Sequence, residues 1–443
     1  MRILFVAMPN SIHTARWLNA IADSGWDIHL FPAYEAILHP AARNVTWHWY
    51  TSGRPASVDP SVQIQSFWSV PFGSGTLSML ARRWVPRVLN YSRWLARVIR
   101  QIKPDIVHSL EFQHAGYLTL AAHRLLRGRF PPWIAMNWGS DIYCFGRLAA
   151  HRERIRAVLA TCDYYSCECH RDVARARGLG FDGKVLPVLP ACAGLDLASV
   201  APFSSSQSPS QRRLILLKGY QTWAGRALVG LRAIEMCADE LRGYRVAIYS
   251  AVPDVQLAAE LVAHDTGIPI DIIPPGSHEN MLHLFGQARV YIGLSISDGI
   301  STSLLEALTM GAFPIQSNTA CADEWLQNGR TGFIVPPEDP HRVAAALRRA
   351  LRDDPLVDSA ARQNALIVEE RLDWKVLRPK MIDMYEDVYR ETKQARGNLA
   401  EPSRWGQTNT SCKQVKTALA RFQPAGLPQQ ASLREMGPVP AGK

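Results

Sequence analysis

Two runs of short apolar segments that alternate with helical segments dominate the sequence. The first run opens with an apolar segment at 3–7, a loop containing His13, a helical pattern over 15–24 and a second apolar segment at 27–31. Short buried strands that alternate with helices form parallel sheets with helices on both faces. The pattern therefore predicts a doubly wound α/β fold.

The alternation stops at 201–211, a stretch of serine, proline and glutamine without apolar periodicity, and starts again at Leu214. Such a composition is typical of a linker. We predict an N-terminal Rossmann-like domain over 1–200, the linker 201–211 and a C-terminal Rossmann-like domain over 212–373. The length of 443 residues agrees with two domains, because a single core stops growing at about 250–300 residues.

The remaining apolar segments predict further strands. In chain order they are 63–67, 105–108, 133–136, 164–167 and 184–188 in the first run, and 214–217, 245–250, 268–273, 290–294 and 313–316 in the second. Beyond residue 373 a helical pattern over 374–393 is expected to pack back on the N-terminal domain. The basic tail 394–443, rich in glycine, proline, glutamine and serine, is expected to be poorly ordered.

The chain has a formal net charge of +10, which favours anionic partners such as nucleotides, phosphorylated lipids or membrane surfaces. A nucleic-acid partner is not expected, because no nucleic-acid-binding motif accompanies the charge. The eight cysteines lack the rhythm of a disulfide scaffold. No segment reaches the ~18 to 20 continuous apolar residues of a membrane span, and residues 1–8 predict a buried strand rather than a signal peptide. The expected location is the cytoplasm, or the inner face of the cell membrane.

Residues 76–102 mix arginines with aromatic residues. The apolar positions keep helical spacing and are expected to face the core, whereas Arg93, Arg97 and Arg100 form a basic stripe on another face. Beside Trp84 and Trp94, this stripe would suit peripheral contact with an anionic membrane. A solvated helix face, whose arginine stems cover apolar surface, is the alternative explanation of the pattern.

The segment 297–315 carries the strongest chemical signal. A predicted strand ends at Leu294, a loop with Asp298 and Gly299 follows, and a helix is predicted from about Thr302. The unpaired N–H groups at a helix N-terminus suit a diphosphate. The donor-binding candidates in this segment are Gly299, Ile300, Ser301, Thr302, Ser303 and Glu306.

Within this segment Glu306 is placed to accept hydrogen bonds from ribose hydroxyls, and Asp298 could reach a sugar. Two structural explanations compete with this hypothesis. Asp298 and Gly299 form an ordinary turn dipeptide, and Ser303 with Glu306 matches a capping box, in which the glutamate only bonds a backbone N–H.

The same segment resembles the E-x(7)-E signature of family 4 retaining glycosyltransferases, which have the GT-B fold of two Rossmann-like domains facing across a cleft. Asp298 stands in place of the first glutamate and Glu306 is the second; aspartate keeps the charge but shortens the arm. The similarity extends through 328–335, 103–108 and 139–141, and covers most of residues 1–390.

The resemblance implies that the second domain binds a nucleotide-diphosphate sugar, UDP- or GDP-linked. Two basic side chains of that family hold the diphosphate; here Lys218, Gly219 and Arg226 match the region, while Tyr220 stands where one cation is usual. Lys218 and Arg226 could instead be solvated residues that flank a loop. The implied reaction is transfer of a hexosyl group to a hydroxyl with retention of configuration, without a bound metal or other cofactor. Polysaccharide, O-antigen or glycolipid assembly, with a saccharide or lipid-linked acceptor, is the implied setting.

Candidates for the acceptor side follow predicted strand ends in the first domain, where ligands of open α/β sheets bind. We expect Asp298, His108, Glu111 and Asp141 to be catalytic, and His13, His114 and Trp138 to contact the acceptor. Trp138 occupies a position where the family often has histidine. Any one of these histidines is more often structural than catalytic.

Two alternative functions stay open, and a zinc site was also considered. A nucleotide-sugar epimerase uses a similar two-domain frame, and a chain with Asp298 and Trp138 off the family pattern could bind a nucleotide sugar without turning it over. Cys162, Cys167, Cys169 and His170 cluster in sequence and could hold zinc, but no second C-x-x-C pair accompanies them. We therefore expect no metal.

Overall fold

A computed structural model describes residues 1–49, 53–66, 90–127 and 130–400. Residues Met1–Glu391 form one compact unit, and a second unit begins at Thr392. Nearly all of the predicted basic tail 394–443 lies outside the described residues, as do Arg82, Arg83, Trp84 and Arg87.

Two parallel sheets organise the first unit. The larger has the order β4-β3-β2-β1-β5-β6-β7-β8, and neighbouring strands run parallel throughout. Its strands are β1 Arg2–Ala7, β2 Asp27–Pro32, β3 Thr46–Trp49, β4 Gln63–Ser66, β5 Ile106–Leu110, β6 Trp133–Met136, β7 Tyr164–Ser166 and β8 Lys184–Val185.

The smaller sheet has the order β11-β10-β9-β12-β13-β14 and is also parallel. Its strands are β9 Leu214–Lys218, β10 Arg245–Tyr249, β11 Ile270–Ile273, β12 Ala288–Gly293, β13 Phe313–Ser317 and β14 Phe333–Val335. These two sheets confirm the predicted α/β class.

Helices connect most of the strands. They are α1 Ile12–Ile21, α2 Tyr91–Ile102, α3 Tyr117–Leu126, α4 Ser140–Tyr143, α5 Ala149–Leu159, α6 His170–Gly178, α7 Leu197–Val200, α8 Ala227–Glu235, α9 Pro253–Thr266, α10 His278–Gln287, α11 Thr302–Thr309, α12 Pro340–Arg352, α13 Asp354–Arg371 and α14 Trp374–Ala400. The predicted linker 201–211 contains only two single turns of 3-10 helix, Ala201–Phe203 and Pro209–Gln211.

Strand order reverses once in each sheet, and these two points position the cavities described below. In the larger sheet β1 lies between β2 and β5, and in the smaller sheet β9 lies between β10 and β12. Loops that leave the carboxyl ends of such strand pairs diverge to opposite faces and leave a crevice. His13, Glu111 and Asp298 lie in or just after these loops, and Lys218 is the last residue of β9.

One predicted strand has different bounds in the structure, and one strand was not predicted. The strand predicted at 105–108 continues through Leu110, so His108 lies in its middle and not at its end. No strand was predicted at Thr46–Trp49, where β3 pairs with β2 and β4. The sequence of β3 shows no alternation of apolar and polar residues, because Trp47, His48 and Trp49 are all buried, as expected of a strand covered on both faces.

The first sheet is completed by the helix at the far end of the chain. Tyr385 of α14 is fully buried, and its hydroxyl accepts from Nε1 of Trp17 at 2.8 Å. The same hydroxyl lies 2.7 Å from Nδ1 of His108. Burial lowers the pKa of His108 to about 3, so the ring is neutral and Nδ1 accepts the tyrosine proton.

Helix α2 has the amphipathic pattern predicted from the sequence. Its buried side chains include Leu95, Val98 and Ile99, whereas Arg93, Arg97 and Arg100 are exposed. Asn90 caps its first turn by accepting from the backbone N–H of Arg93. Among the described residues, none of the helices has the length and apolar character needed to cross a bilayer.

The Tyr385 hydroxyl gives a first prediction. Tyr385→Phe leaves the Trp17 N–H and the His108 nitrogen without a partner in a dry core, which should lower the free energy of unfolding by about 1–3 kcal/mol. Denaturant titration measures this difference. Tyr244→Phe is the matched control, because no described residue hydrogen-bonds its hydroxyl; an equal loss in both variants would contradict the role of the Tyr385 hydroxyl.

Candidate active site

A cavity of about 360 Å³ lies between loops of the two sheets. Side chains that line it from the larger sheet's half include His13, Trp138, Asp141 and Glu168. Lys218 and Asp298 line it from the smaller sheet's half. The structure thus brings six chemically active side chains together, five of which were predicted from the sequence.

Asp141 forms one wall of this cavity. Its Oδ2 accepts from the backbone N–H groups of Trp138 at 2.8 Å and Phe112 at 2.9 Å. Burial, together with the nearby Glu111 carboxyl, raises the pKa of Asp141 well above its usual range. Asp141 therefore fixes the loop that carries Trp138, and its own protonation depends on its carboxyl neighbours.

His13, in the first turn of α1, lies at the boundary of this cavity and a larger one. Its ring packs edge-on against Trp138, with 5.7 Å between centroids. Burial, and then the charge of Arg16, lower the pKa of His13 to about 4. The neutral ring has a buried Nδ1 without a hydrogen-bond partner among the described residues.

The loop with Asp298 and Gly299 is held from the opposite half by Arg171 of α6. The guanidinium donates to the backbone oxygens of Asp298 at 2.8 Å and Thr319 at 2.9 Å. Its third nitrogen bonds the buried Asp172 at 2.9 Å. Because one planar side chain makes all three contacts, it fixes the loop relative to α6.

Helix α11 begins beside the cavity, at the position expected from the sequence. Ile300, Thr302 and Ser303 line the cavity, and Ser301 is the N-cap residue. The hydroxyl of Ser301 caps no N–H group and has no partner among the described residues. The first turn of α11 therefore presents free backbone donors at the cavity.

Lys218 ends strand β9 and contributes the cation of this cavity. Desolvation opposes its charge, but Tyr291, Asp298 and other acidic neighbours raise the pKa of Lys218. Gly219 follows it where the chain touches the end of β10: a Cβ there would lie 2.7 Å from Cα of Ala251. A side chain at Gly219 would therefore clash with the backbone that follows β10.

A second cavity of about 730 Å³ adjoins the first and is lined by Glu306. Oε1 of Glu306 is 2.8 Å from Nε2 of His278 and 3.8 Å from the guanidinium of Arg16. The capping-box explanation of Ser303 and Glu306 is wrong, because the glutamate contacts these side chains and the N-cap position is Ser301, not Ser303. Both partners hold the Glu306 carboxylate toward the cavity.

Seven predicted site residues do not line either cavity. Gly219, Gly299 and Ser301 adjoin residues that do. The other four, Arg226, His108, Glu111 and His114, have different surroundings. Arg226 pairs with Glu338 at 3.0 Å and donates to backbone oxygens of its own loop. His108 lies inside the core against Tyr385, because β5 continues two residues beyond the predicted strand end. Burial in the strand thus overturns its expected position at the cleft.

Glu111 and His114 belong to the turn that follows β5. The Glu111 carboxylate accepts from three consecutive backbone N–H groups, those of Gln113, His114 and Ala115. His114 projects outward, with its side chain 53% exposed, and its pKa is raised by its hydrogen bond to Glu111. Glu111 thus caps the single π-helical turn Phe112–Gly116, a use of the carboxylate that competes with catalysis.

One group of metal-ligand type lies close together in the described part of the chain: Cys169, Cys321 and Glu324, with ligand atoms within 4.8 Å of one another. Both carboxylate oxygens of Glu324 accept from backbone N–H groups at the start of α6, and Sγ of Cys321 donates to Sγ of Cys169 at 2.7 Å. The four residues considered for zinc do not form such a group within the described residues.

Sequence reasoning missed four residues of the site. Glu168 and Arg171 follow β7, in a segment where the cysteines drew attention, although a strand end is itself a signal. Arg16 and His278 reach Glu306 from α1 and α10, and they are 262 residues apart in the chain. No local pattern links such positions.

The glycine at 139 gives a second prediction. A Cβ there would lie 2.8 Å from the backbone nitrogen of Gly299 and 2.9 Å from Oδ1 of Asp298. Gly139→Ala should therefore lower the free energy of unfolding by about 1–3 kcal/mol, the usual cost of overpacking. The control is Gly178→Ala, where a Cβ meets nothing within 4 Å. Equal stability of Gly139→Ala and wild type in urea would refute this close contact.

Comparison with known families gives two matches. Residues 256–366 match the profile "Glycosyl transferases group 1", and residues 81–165 match "Glycosyl transferase 4-like". A segment of 143 residues is 27% identical to a D-inositol 3-phosphate glycosyltransferase of Nocardioides sp.. This alignment spans 32% of the present chain and 31% of that relative.

Solved structures with a similar fold cover nearly the whole chain. The α,α-trehalose 6-phosphate synthase from Burkholderia multivorans has a TM-score of 0.63 at 15% identity, covering 91% of this chain and 99% of its own. Sucrose-phosphate synthase from Thermosynechococcus elongatus has a TM-score of 0.62 at 14% identity, with 88% and 100% covered. Anabaena Alr3699/HepE in complex with UDP has a TM-score of 0.61 at 12% identity, with 87% and 100% covered. The fold is therefore GT-B, and the matches support a glycosyltransferase related to family 4.

Proposed function

We propose that this protein is a retaining glycosyltransferase that moves a hexosyl group from a UDP- or GDP-linked donor to a hydroxyl of a saccharide or lipid-linked acceptor. The observation that carries the proposal is the position of Glu306. Its carboxylate lines the larger cavity four residues after the start of α11, whose first turn faces the smaller cavity. One short helix thus places an anion-binding N-terminus beside a hydroxyl-binding carboxylate.

The charges around the two cavities support an assignment of the donor's parts. The diphosphate fits between Lys218 and the first turn of α11, where a cation and free N–H groups face the same space. The ribose fits beside Glu306, which His278 and Arg16 orient. The sugar then enters the smaller cavity, next to Asp298 and Asp141.

This assignment suits a reaction in which the sugar–phosphate bond breaks while the acceptor oxygen bonds the anomeric carbon on the same face. The departing diphosphate takes the proton of the acceptor hydroxyl. Negative charge grows on the departing diphosphate, and Lys218 with the α11 amides would stabilise it. The neutral His13 ring, at the boundary of the two cavities, would position the sugar or the acceptor. Arg226 has no part in this proposal, because it is paired with Glu338.

Calorimetry with UDP, GDP and ADP tests the proposal. Glu306→Ala should weaken the binding of the preferred nucleotide by about 1.5–3 kcal/mol, the usual value of a hydrogen bond to a charged group. Glu369→Ala, on the exposed face of α13, is the control and should bind like wild type. If wild type binds none of the three nucleotides, or if Glu306→Ala binds equally well, the proposal fails.

A second measurement separates transfer from its alternatives. Incubation of wild type with the donor whose nucleotide binds should release nucleoside diphosphate faster when an acceptor hydroxyl is supplied. Conversion of the donor into an isomeric sugar nucleotide without acceptor would instead indicate an epimerase. Binding without any turnover would indicate a non-catalytic nucleotide-sugar-binding protein.

A further inference from the structure

The buried carboxyl of Glu168 lies at the point where the two halves of the smaller cavity meet. Glu168 follows β7 and lines the cavity. Its Oε2 accepts from the backbone N–H of Gly139 at 2.8 Å, and its Oε1 accepts from that of Ala191 at 3.1 Å. Two segments of the first half are therefore fixed by this carboxyl.

The same carboxyl also contacts the loop of the second half. A Cβ built on Gly299 would lie 2.4 Å from Oε2 of Glu168, which shows how closely the carboxyl packs against this glycine. Gly299 also contacts Asp298, whose Oδ1 accepts from the Gly299 backbone N–H at 2.9 Å. Glu168 and Asp298 thus bring two carboxyl groups from opposite halves to one wall of the cavity.

Acidic and basic side chains both surround Glu168. They are Asp298 across the cavity, Asp172 at the start of α6, Asp141 of α4, and, among the basic side chains nearby, Arg171, Lys218 and His13. Burial, and then the charges of Asp298 and Asp172, raise the pKa of Glu168 to about 8, although its two backbone hydrogen bonds oppose the shift. At neutral pH the carboxyl is therefore mostly protonated and carries a hydrogen-bond donor.

We propose that Glu168 is a sugar-binding residue, and that its carboxyl O–H donates a hydrogen bond to a ring hydroxyl of the donor sugar held beside Asp298. The proposal rests on the proposed function. The wall formed by Asp141, Glu168 and Asp298 offers no cation to a diphosphate, whereas sugar hydroxyls both donate to and accept from carboxyl groups. Glu168 therefore contributes to recognition of the sugar and not of the nucleotide.

Calorimetry can isolate the contribution of the sugar. For each variant, the dissociation constant of the nucleotide sugar is divided by the dissociation constant of its nucleoside diphosphate. The ligand pairs are UDP-glucose with UDP and GDP-mannose with GDP. Glu168→Ala should bind the nucleoside diphosphate like wild type and raise the ratio roughly ten-fold, because one hydrogen bond to the sugar is lost. Glu168→Gln retains a donor and should raise the ratio less.

The matched control is Glu153→Gln on α5, whose side chain is 75% exposed; its ratio should equal that of wild type. Thermal unfolding confirms that each variant is folded. If Glu168→Ala weakens the diphosphate and the nucleotide sugar equally, Glu168 only supports the loops, and the proposal is overturned. An unchanged ratio also overturns it. Failure of wild type to bind any nucleotide would instead remove the proposed function itself.

The pH dependence of the KM for the donor distinguishes a sugar-binding role of Glu168 from a purely structural one. A carboxyl with a raised pKa is neutral below that value and ionised above it, so donation to the sugar should persist below about pH 8 and fade above it. The KM of wild type for the donor should therefore rise above pH 8. Glu168→Gln, which cannot ionise, should lack that rise, and the same rise in this variant would overturn the proposal.

Discussion

The carboxyl ends of two parallel sheets meet in this molecule, and that arrangement decides which side chains can share a cavity. In each sheet the strand order reverses beside one central strand, β1 in the larger and β9 in the smaller. The segments around these points bring His13 of α1, Lys218 at the end of β9 and Asp298 of the loop after β12 into a single space. The chemistry of the site depends on this meeting, because neither half alone provides both a cation and the carboxyl wall.

Carboxyl groups dominate that space, and the protein uses them in two ways. Where a carboxylate accepts several backbone N–H groups, as Glu111 does, it fixes a turn. Asp141 and Glu168 also accept from backbone N–H groups, but they face a cavity, and there burial and neighbouring acidic groups favour the protonated form. Burial of these two carboxyls costs desolvation free energy, and both line the cavity where the proposed sugar would hydrogen-bond to them.

The fold class and much of the candidate site were predictable because their signals are local. Alternating apolar segments gave both sheets, and the strand–loop–helix around Asp298 and Glu306 is contiguous in sequence. His108 was misplaced because a strand's end was judged two residues early. Arg16 and His278 were missed because their contact with Glu306 arises only when α1, α10 and α11 converge. The domain boundaries and the roles of the site residues stay predictions.

The hydrogen bonds of Tyr385 have a consequence for the order in which the chain can fold. The ribosome synthesises Trp17 and His108 early, whereas Tyr385 of α14, which bonds both, follows every strand of the smaller sheet in the sequence. Any nascent chain that ends before residue 374 lacks the hydroxyl that both buried nitrogens need. The core of the first sheet is therefore completed only when the last described helix has emerged, so folding of the larger sheet finishes after synthesis of the smaller one.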